Sequence, residues 1–381
     1  MQTPILGPYL LPNLCSIQWK LYSWDLVPFL RLFLNPELVD VDIEFPDEGQ
    51  STYLPAAISL IPTGDLTHLR LLFMEDDPLS MDALHNLLDK ASETLRSVDL
   101  CCEPSIAVIE KLLQLPNLRL LDVCTPETRI SPPAVVFPSL EKLSINCGGA
   151  GSWLHILRNI PNPVLRELEV IFRSSSPTPL QVFGSSLLDA SIEQTLTSLT
   201  CTCHGTPLTE AGLRPFLSFR KLTKLELSNS CTRERCGNQL NDLIICELAM
   251  ALPQLTYLSL GGALCVVSTP AVTITSLVAL STNCVDLDFL RLHFDANDII
   301  SRDTHANSQT HKFTCKLRHL DVGFRPLSSN YDDILLVAFA ILHIFPHLEV
   351  VSPATQSWGH VERVVKLFQR APKTVPLPTT N

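Results

Sequence analysis

The chain has 381 residues, 46% of them hydrophobic and 18% charged, which suits a folded protein with a large buried core rather than a disordered one. The formal net charge is −11, and the lysines and arginines are outnumbered and scattered, so the clustered cations that neutralise phosphate backbones are missing. That argues against a nucleic-acid partner. It leaves protein partners open.

From the N-terminus, residues 1–14 lack a basic region and are broken by Pro4, Pro8 and Pro12, unlike a signal peptide. The pattern Leu-x-x-Leu-x-Leu then begins, with other apolar residues allowed at its later sites. Its copies in chain order start at Leu14 (LCSIQW), Leu38 (LVDVDI), Leu69 (LRLLFM), Leu95 (LRSVDL), Leu118 (LRLLDV), Leu140 (LEKLSI) and Leu165 (LRELEV). They continue at Leu196 (LTSLTC), Leu222 (LTKLEL), Leu255 (LTYLSL), Leu287 (LDFLRL) and Leu317 (LRHLDV), and a frayed copy, LEVVSP, starts at Leu348. The spacing is roughly 22 to 33 residues.

A strand alternates its faces, so the fourth and sixth residues of each copy point into a core and the fifth points out. Segments between copies carry apolar residues at helical spacing: Asp77 to Ser92, with Asp77 or Ser80 as cap, Ser105 to Leu115, Asn241 to Leu252, and Tyr331 to Phe345. The last of these holds the longest apolar run, Ile334 to Leu342, far short of the ~20 residues that span a membrane. Five copies follow an apolar–proline pair, at Leu11-Pro12, Leu115-Pro116, Phe137-Pro138, Leu252-Pro253 and Phe345-Pro346, and each pair should stop a return helix. Two polar inserts, residues 173–179 and 293–312, read as loops.

One strand of this kind cannot bury its apolar side alone, whereas parallel stacking of about thirteen makes a continuous core. The expected fold is therefore an α/β leucine-rich-repeat solenoid over residues 1–381. Its repeats run from 11 to 353, followed by a capping helix at about 357–371 and a tail at 372–381. Because helices are wider than the ~4.8 Å strand spacing, the stack should curve into a horseshoe, with the parallel sheet concave and the helices convex. A doubly wound sheet would also alternate strands and helices. So many near-identical strand patterns favour the solenoid.

The register of hydrophobic-Pro-x-Leu-x-x-Leu-x-Leu resembles the repeat region of F-box proteins, particularly the large fungal families. The likeness runs from LLPNLCSIQW to FPHLEVVSP and the terminal helix SWGHVERVVKLFQRA. It implies a substrate-recognition module of a ubiquitin ligase. In that family a helical F-box precedes the repeats and docks on an adaptor of cullin-type ligases. Here the first repeat starts at Leu14, leaving no room for such a box upstream. The segment from Gly7 to Leu30 has a Leu-Pro and a tryptophan superficially similar to one, yet its LCSIQW core fits the strand pattern better. Adaptor docking is thus in question, and a free-standing repeat scaffold is the alternative.

Among residues that could carry chemistry, Cys201, Cys203 and His204 form the most metal-like cluster, but no second ligand pair follows and both cysteines fall on one strand face. Cys231 and Cys236 surround two arginines without a readable base. His293, His305 and His311 share one insert and read as exposed loop residues. The 13 cysteines, odd in number and irregularly spaced, suit small core groups of a reduced chain in the cytoplasm or nucleus. No G-x-S-x-G elbow, P-loop, G-x-G-x-x-G or H-E-x-x-H occurs. The expectation is a non-enzyme with no cofactor, no metal and no membrane.

The outward strand face is the candidate partner surface. Its central position is acidic at Asp42, Asp99, Asp122, Glu169, Glu226 and Asp321, and basic at Arg291. Such a row favours a partner with basic or donor groups, although solubility alone would also explain it. Lys142 beside Glu167 and Lys224 beside Glu226 are placed to pair. Phe73, Tyr257 and Phe289 face outward in the same register as anchors for a protein partner.

Overall fold

The computed structural model describes residues 9–46, 51–73, 77–125, 139–147, 164–173, 180–204, 207–230, 238–262, 271–301, 313–322, 327, 330–352 and 355–370. The chain divides into two compact units, Met1–Arg173 and Ser174–Asn381. Each is an α/β stack in which parallel strands alternate with return segments, most of them helical.

In the first unit the strands are β1 (Ser16–Lys20), β2 (Asp40–Glu44), β3 (His68–Leu72), β4 (Ser97–Cys101), β5 (Leu120–Thr125), β6 (Lys142–Cys147) and β7 (Glu167–Phe172). Each pairs in parallel with the next in chain order. The returns include a 3-10 helix, Trp24–Leu32, and the helices α1 (Leu54–Ser59), α2 (Pro78–Lys90) and α3 (Ile106–Leu113). In the second unit β8 (Ser198–His204), β9 (Lys224–Ser230), β10 (Tyr257–Leu260), β11 (Phe289–Leu292), β12 (His319–Asp321) and β13 (Val350–Ser352) pair in the same sequential, parallel way. Between and after them lie α4 (Leu180–Asp189), α5 (Glu210–Leu213), α6 (Asp242–Ala251), α7 (Ile274–Asn283), α8 (Asn297–Ser301), α9 (Tyr331–Ile344) and α10 (Gln356–Arg370).

The core is the one that the spacing requires. Anchor leucines such as Leu38, Leu95, Leu140, Leu196 and Leu255 are fully buried, as are Val41, Leu143, Leu168, Leu225 and Leu290 at the fourth position of their repeats. Burying each such side chain stabilises the fold by ~1.5–3 kcal/mol before chain entropy is counted. A backbone device recurs with them. The carbonyl just after an anchor accepts two N–H groups from the next repeat: Arg96 O from Arg119 and Leu120, Thr223 O from Thr256 and Tyr257, and Asp288 O from Arg318 and His319.

The returns start and stop as the sequence indicates. Asp77 caps α2, its Oδ1 accepting from Leu79 N at 2.9 Å and Ser80 N at 3.1 Å. Ser105 caps α3, Asn241 caps α6 and Asn330 caps α9, each through its side-chain oxygen. The helix ends at Leu252 and Phe345 have φ −120°, ψ 61° and φ −124°, ψ 78°, the non-helical geometry expected before Pro253 and Pro346. Cys284 takes φ −106°, ψ 70° before a valine, so proline reinforces this stop without being its sole cause. Phe137-Pro138 lies outside the described residues. The terminal helix α10 buries Trp358, Val361, Val364 and Val365.

The third repeat differs from the expected register. Leu69 pairs with Val98 and Leu71 with Leu100, so Leu69 is a fourth-position residue and the anchor is Leu66, which is fully buried. Thr67 O, just after Leu66, accepts from Arg96 N and Ser97 N, completing the recurring device. The copy is LTHLRL from Leu66, not LRLLFM from Leu69. With Leu66 the anchors Leu38, Leu66 and Leu95 become nearly evenly spaced. Phe73 therefore does not face outward. It is 1% exposed and packs edge-on against Phe45.

Candidate functional site

In the first unit the central outward positions are Gln18, Asp42, Arg70, Asp99, Asp122, Ser144 and Glu169, aligned strand by strand. The corrected register puts Arg70 in this row, so Arg291 is not its only base. Arg70 bridges its neighbours, with Nη1 3.3 Å from Asp42 Oδ2 and Nε 2.9 Å from Asp99 Oδ2. Gln18 Nε2 donates to Asp42 Oδ2 at 3.0 Å.

Asp122 follows Asp99 with no cation between them. Crowding by surrounding atoms, then the charges of Asp99 and Glu169, push its carboxyl up to about 6, against the Ser144 hydroxyl and Lys142, which pull it down. Asp122 nevertheless keeps an exposed side chain. Lys142 pairs with Glu167 at 3.4 Å. Beside this row lies another of Leu72, Cys101, Cys124, Asn146 and Ile171.

The same face of the second unit is different. Lys224, Tyr257, Phe289, His319 and Val350 share one outward row, and Glu226, Ser259, Arg291, Asp321 and Ser352 share the next. The strand spacing stacks the aromatics. The rings of Tyr257 and Phe289 are 4.3 Å apart and 5° from parallel, and His319 lies 4.9 Å beyond Phe289.

Lys224 Nζ sits 5.2 Å from the Tyr257 ring centre and 3.4 Å from Glu226. Arg291 Nε is 2.8 Å from Asp321 Oδ2, and its guanidinium lies 5.8 Å from the Phe289 ring. Lys224 and Arg291 are thus already paired with acids, and what remains is a half-buried, nearly neutral aromatic row. His319 belongs to it by position in LRHLDV, a signal that was open to the sequence. Its Nε2 lies 2.7 Å from Ser352 Oγ.

Two buried groups lie along this face. Ser259 Oγ and His293 Nε2 are buried without a hydrogen-bond partner. His293 is not an exposed loop residue: it follows β11 directly and is 8% exposed. Burial lowers its pKa, with Asp321 opposing that shift, and so favours the neutral imidazole. Gly261 beside it has φ +102°, and a Cβ there would stand 3.3 Å from Asn238 Nδ2 and 3.9 Å from His293 Nε2. A side chain would crowd Asn238 and just touch His293.

The remaining candidates do not assemble into chemistry. Cys201 and Cys203 are buried core residues with sulfurs 3.5 Å apart. The side chain of His204, and Cys231, Cys236, His305 and His311 entirely, lie outside the described residues. Among the described residues, no group of three or more His, Cys, Asp or Glu stands close enough to hold a metal ion. Among them too, no helix is long and apolar enough to cross a membrane. A shallow groove of about 240 Å³ near the start of β5 is lined by Arg96, Asn117, Arg119, Ser139 and Glu141. Glu141 faces Arg119 across 3.7 Å and offsets its charge. In comparisons with known proteins, no family model matches the chain and no curated protein matches it.

Proposed function

We propose that the protein is a leucine-rich-repeat recognition module that binds another protein through the outward face of its parallel strands and performs no catalysis. The observation that carries this reading is the in-register row of outward side chains, half-buried except for the exposed Asp122. It is acidic from Asp99 through Asp122 to Glu169 in one unit, and aromatic across Tyr257, Phe289 and His319 in the other. Strand alternation aims these groups away from the core, where they do nothing for its packing. Carboxylates on such a face steer basic groups toward it, although Arg70 already bridges Asp99, and stacked aromatics supply contact area at low entropic cost.

The resemblance to F-box repeats suggests that the bound protein is a substrate selected for ubiquitin ligation in the cytoplasm or nucleus. The buried thiols Cys284 and Cys315, which form no disulfide, suit such a reducing compartment.

The test is affinity capture of the chain from its native cells, with mass spectrometry, beside two face variants. One combines Asp122→Asn with Glu169→Gln, and the other Tyr257→Ala with Phe289→Ala. The expected result is a defined set of proteins lost from one or both variants while their circular dichroism stays native. Recovery of a cullin and its adaptor would support the ligase reading, and their absence would leave a free-standing scaffold. Identical captures by all three chains would overturn recognition through this face.

A further inference from the structure

The outward row of Leu72, Cys101, Cys124, Asn146 and Ile171 contains two adjacent cysteines that the proposed recognition role does not use. The β4–β5 register runs to Leu100 and Val123 and stops one residue short of Cys101 and Cys124, which strand alternation puts on the outward face and whose thiols lie close enough to interact electrostatically. Neighbouring strands run ~4.8 Å apart, inside the ~4.4–6.8 Å separation of Cα atoms that a disulfide bridges. Both thiols are free and partly exposed. Cys102 points the other way, into the core, at 5% exposed.

We propose that Cys101 and Cys124 form a reversible cross-strand disulfide by exchange with a low-molecular-weight disulfide, with Cys124 attacking first and Cys101 resolving. The surroundings divide these roles. Arg173 Nη2 stands 3.8 Å from Cys124 Sγ and favours its thiolate. The Cys101 thiol donates to Asp99 Oδ1 at 3.4 Å, which holds its proton and gives that proton an acceptor.

The Cys124 thiolate attacks one sulfur of the small disulfide, whose other half leaves as a thiolate. Cys101 then passes its proton to Asp99 and attacks Cys124 Sγ, expelling the second half. Two protein thiols are oxidised to one disulfide, and one small disulfide is reduced to two thiols. Burial, then Asp99, holds Cys101 up at about 12, and burial raises Cys124 against the pull of Arg173. The resting pair is therefore protonated, and its exchange is slow at neutral pH and faster in alkali.

The experiment treats the full chain with excess oxidised glutathione in mildly alkaline buffer and maps non-reduced peptides by mass spectrometry. The expected product is a Cys101–Cys124 cross-link in large excess over any other pair, reversed by dithiothreitol and lost in favour of scattered pairs when the chain is first unfolded in guanidinium. Cys101→Ser should trap a glutathione adduct on Cys124, whereas Cys124→Ser should leave Cys101 unmodified over the same time. Adducts on the native chain without a cross-link, or a Cys102–Cys124 link in comparable yield, would overturn the pairing. An adduct forming on Cys101 in the Cys124→Ser chain as fast as on Cys124 in the native one would overturn the assigned order.

Discussion

Asp122 carries a cost that comes first from crowding by surrounding atoms and then from the charge of Asp99, since Arg70 lies between Asp42 and Asp99 but no cation lies between Asp99 and Asp122. Its carboxyl titrates at about 6 in the folded protein, against 3.8 for an ordinary aspartate. Below about pH 3 it is protonated in both folded and unfolded chains, so it imposes no cost. As pH rises toward 6 the unfolded chain ionises first and gains stability relative to the fold, and above 6 the penalty stays constant. Because the side chain is exposed, water screens much of this, and the penalty is below about 1 kcal/mol. Asp122→Asn should therefore raise the urea midpoint at neutral pH and leave it unchanged near pH 3. A lower midpoint at neutral pH would mean that the carboxylate makes a favourable contact the fold depends on. A residue kept at such a cost on an outward face is one that recognition would explain.

At the scale of the strand, most of the register was legible because three buried positions recur in a fixed frame, and twelve of the expected copies coincide with the paired strands. The third was misread for a physical reason. LTHLRLLFM satisfies the pattern from Leu66, through Leu69 and Leu71, and again from Leu69, through Leu72 and Met74. Only the pairing with β4 decides between them. The slip hid Arg70 and turned Phe73 the wrong way, whereas Tyr257 and Phe289 in unambiguous copies were placed correctly. The two frames make opposite predictions. Leu66→Ala should cost ~2–5 kcal/mol, the loss from truncating a fully buried leucine, and Leu72→Ala, on the outward side, less than ~1 kcal/mol. Chemical denaturation of the two variants measures both. A larger loss at Leu72 would restore the frame that begins at Leu69.

Within each unit, every strand pairs only with its sequence neighbours, so cohesion is local and passes from repeat to repeat. This chain-order pairing could be anticipated from the repeat alone. What the repeat could not show was how neighbouring side chains settle on one another. Ser259 is fully buried within its row and His293 lies near Gly261, because these outcomes depend on residues some thirty positions away in sequence.

Local cohesion has a measurable consequence in the first unit. Leu143, 1% exposed, is paired with Leu121 on one side and Leu168 on the other. Leu143→Asp places an unpaired carboxylate among apolar side chains, at a cost of several kcal/mol. Amide hydrogen exchange should then show protection collapsing in β5, β6 and β7 while β1, β2 and β3 keep most of theirs, since they touch the damaged repeat only through β4. Equal loss across all seven strands would show instead that the unit unfolds as one block. Unchanged protection in β6 would mean that Leu143 does not point inward, and the repeat frame on which the outward face rests would fall with it.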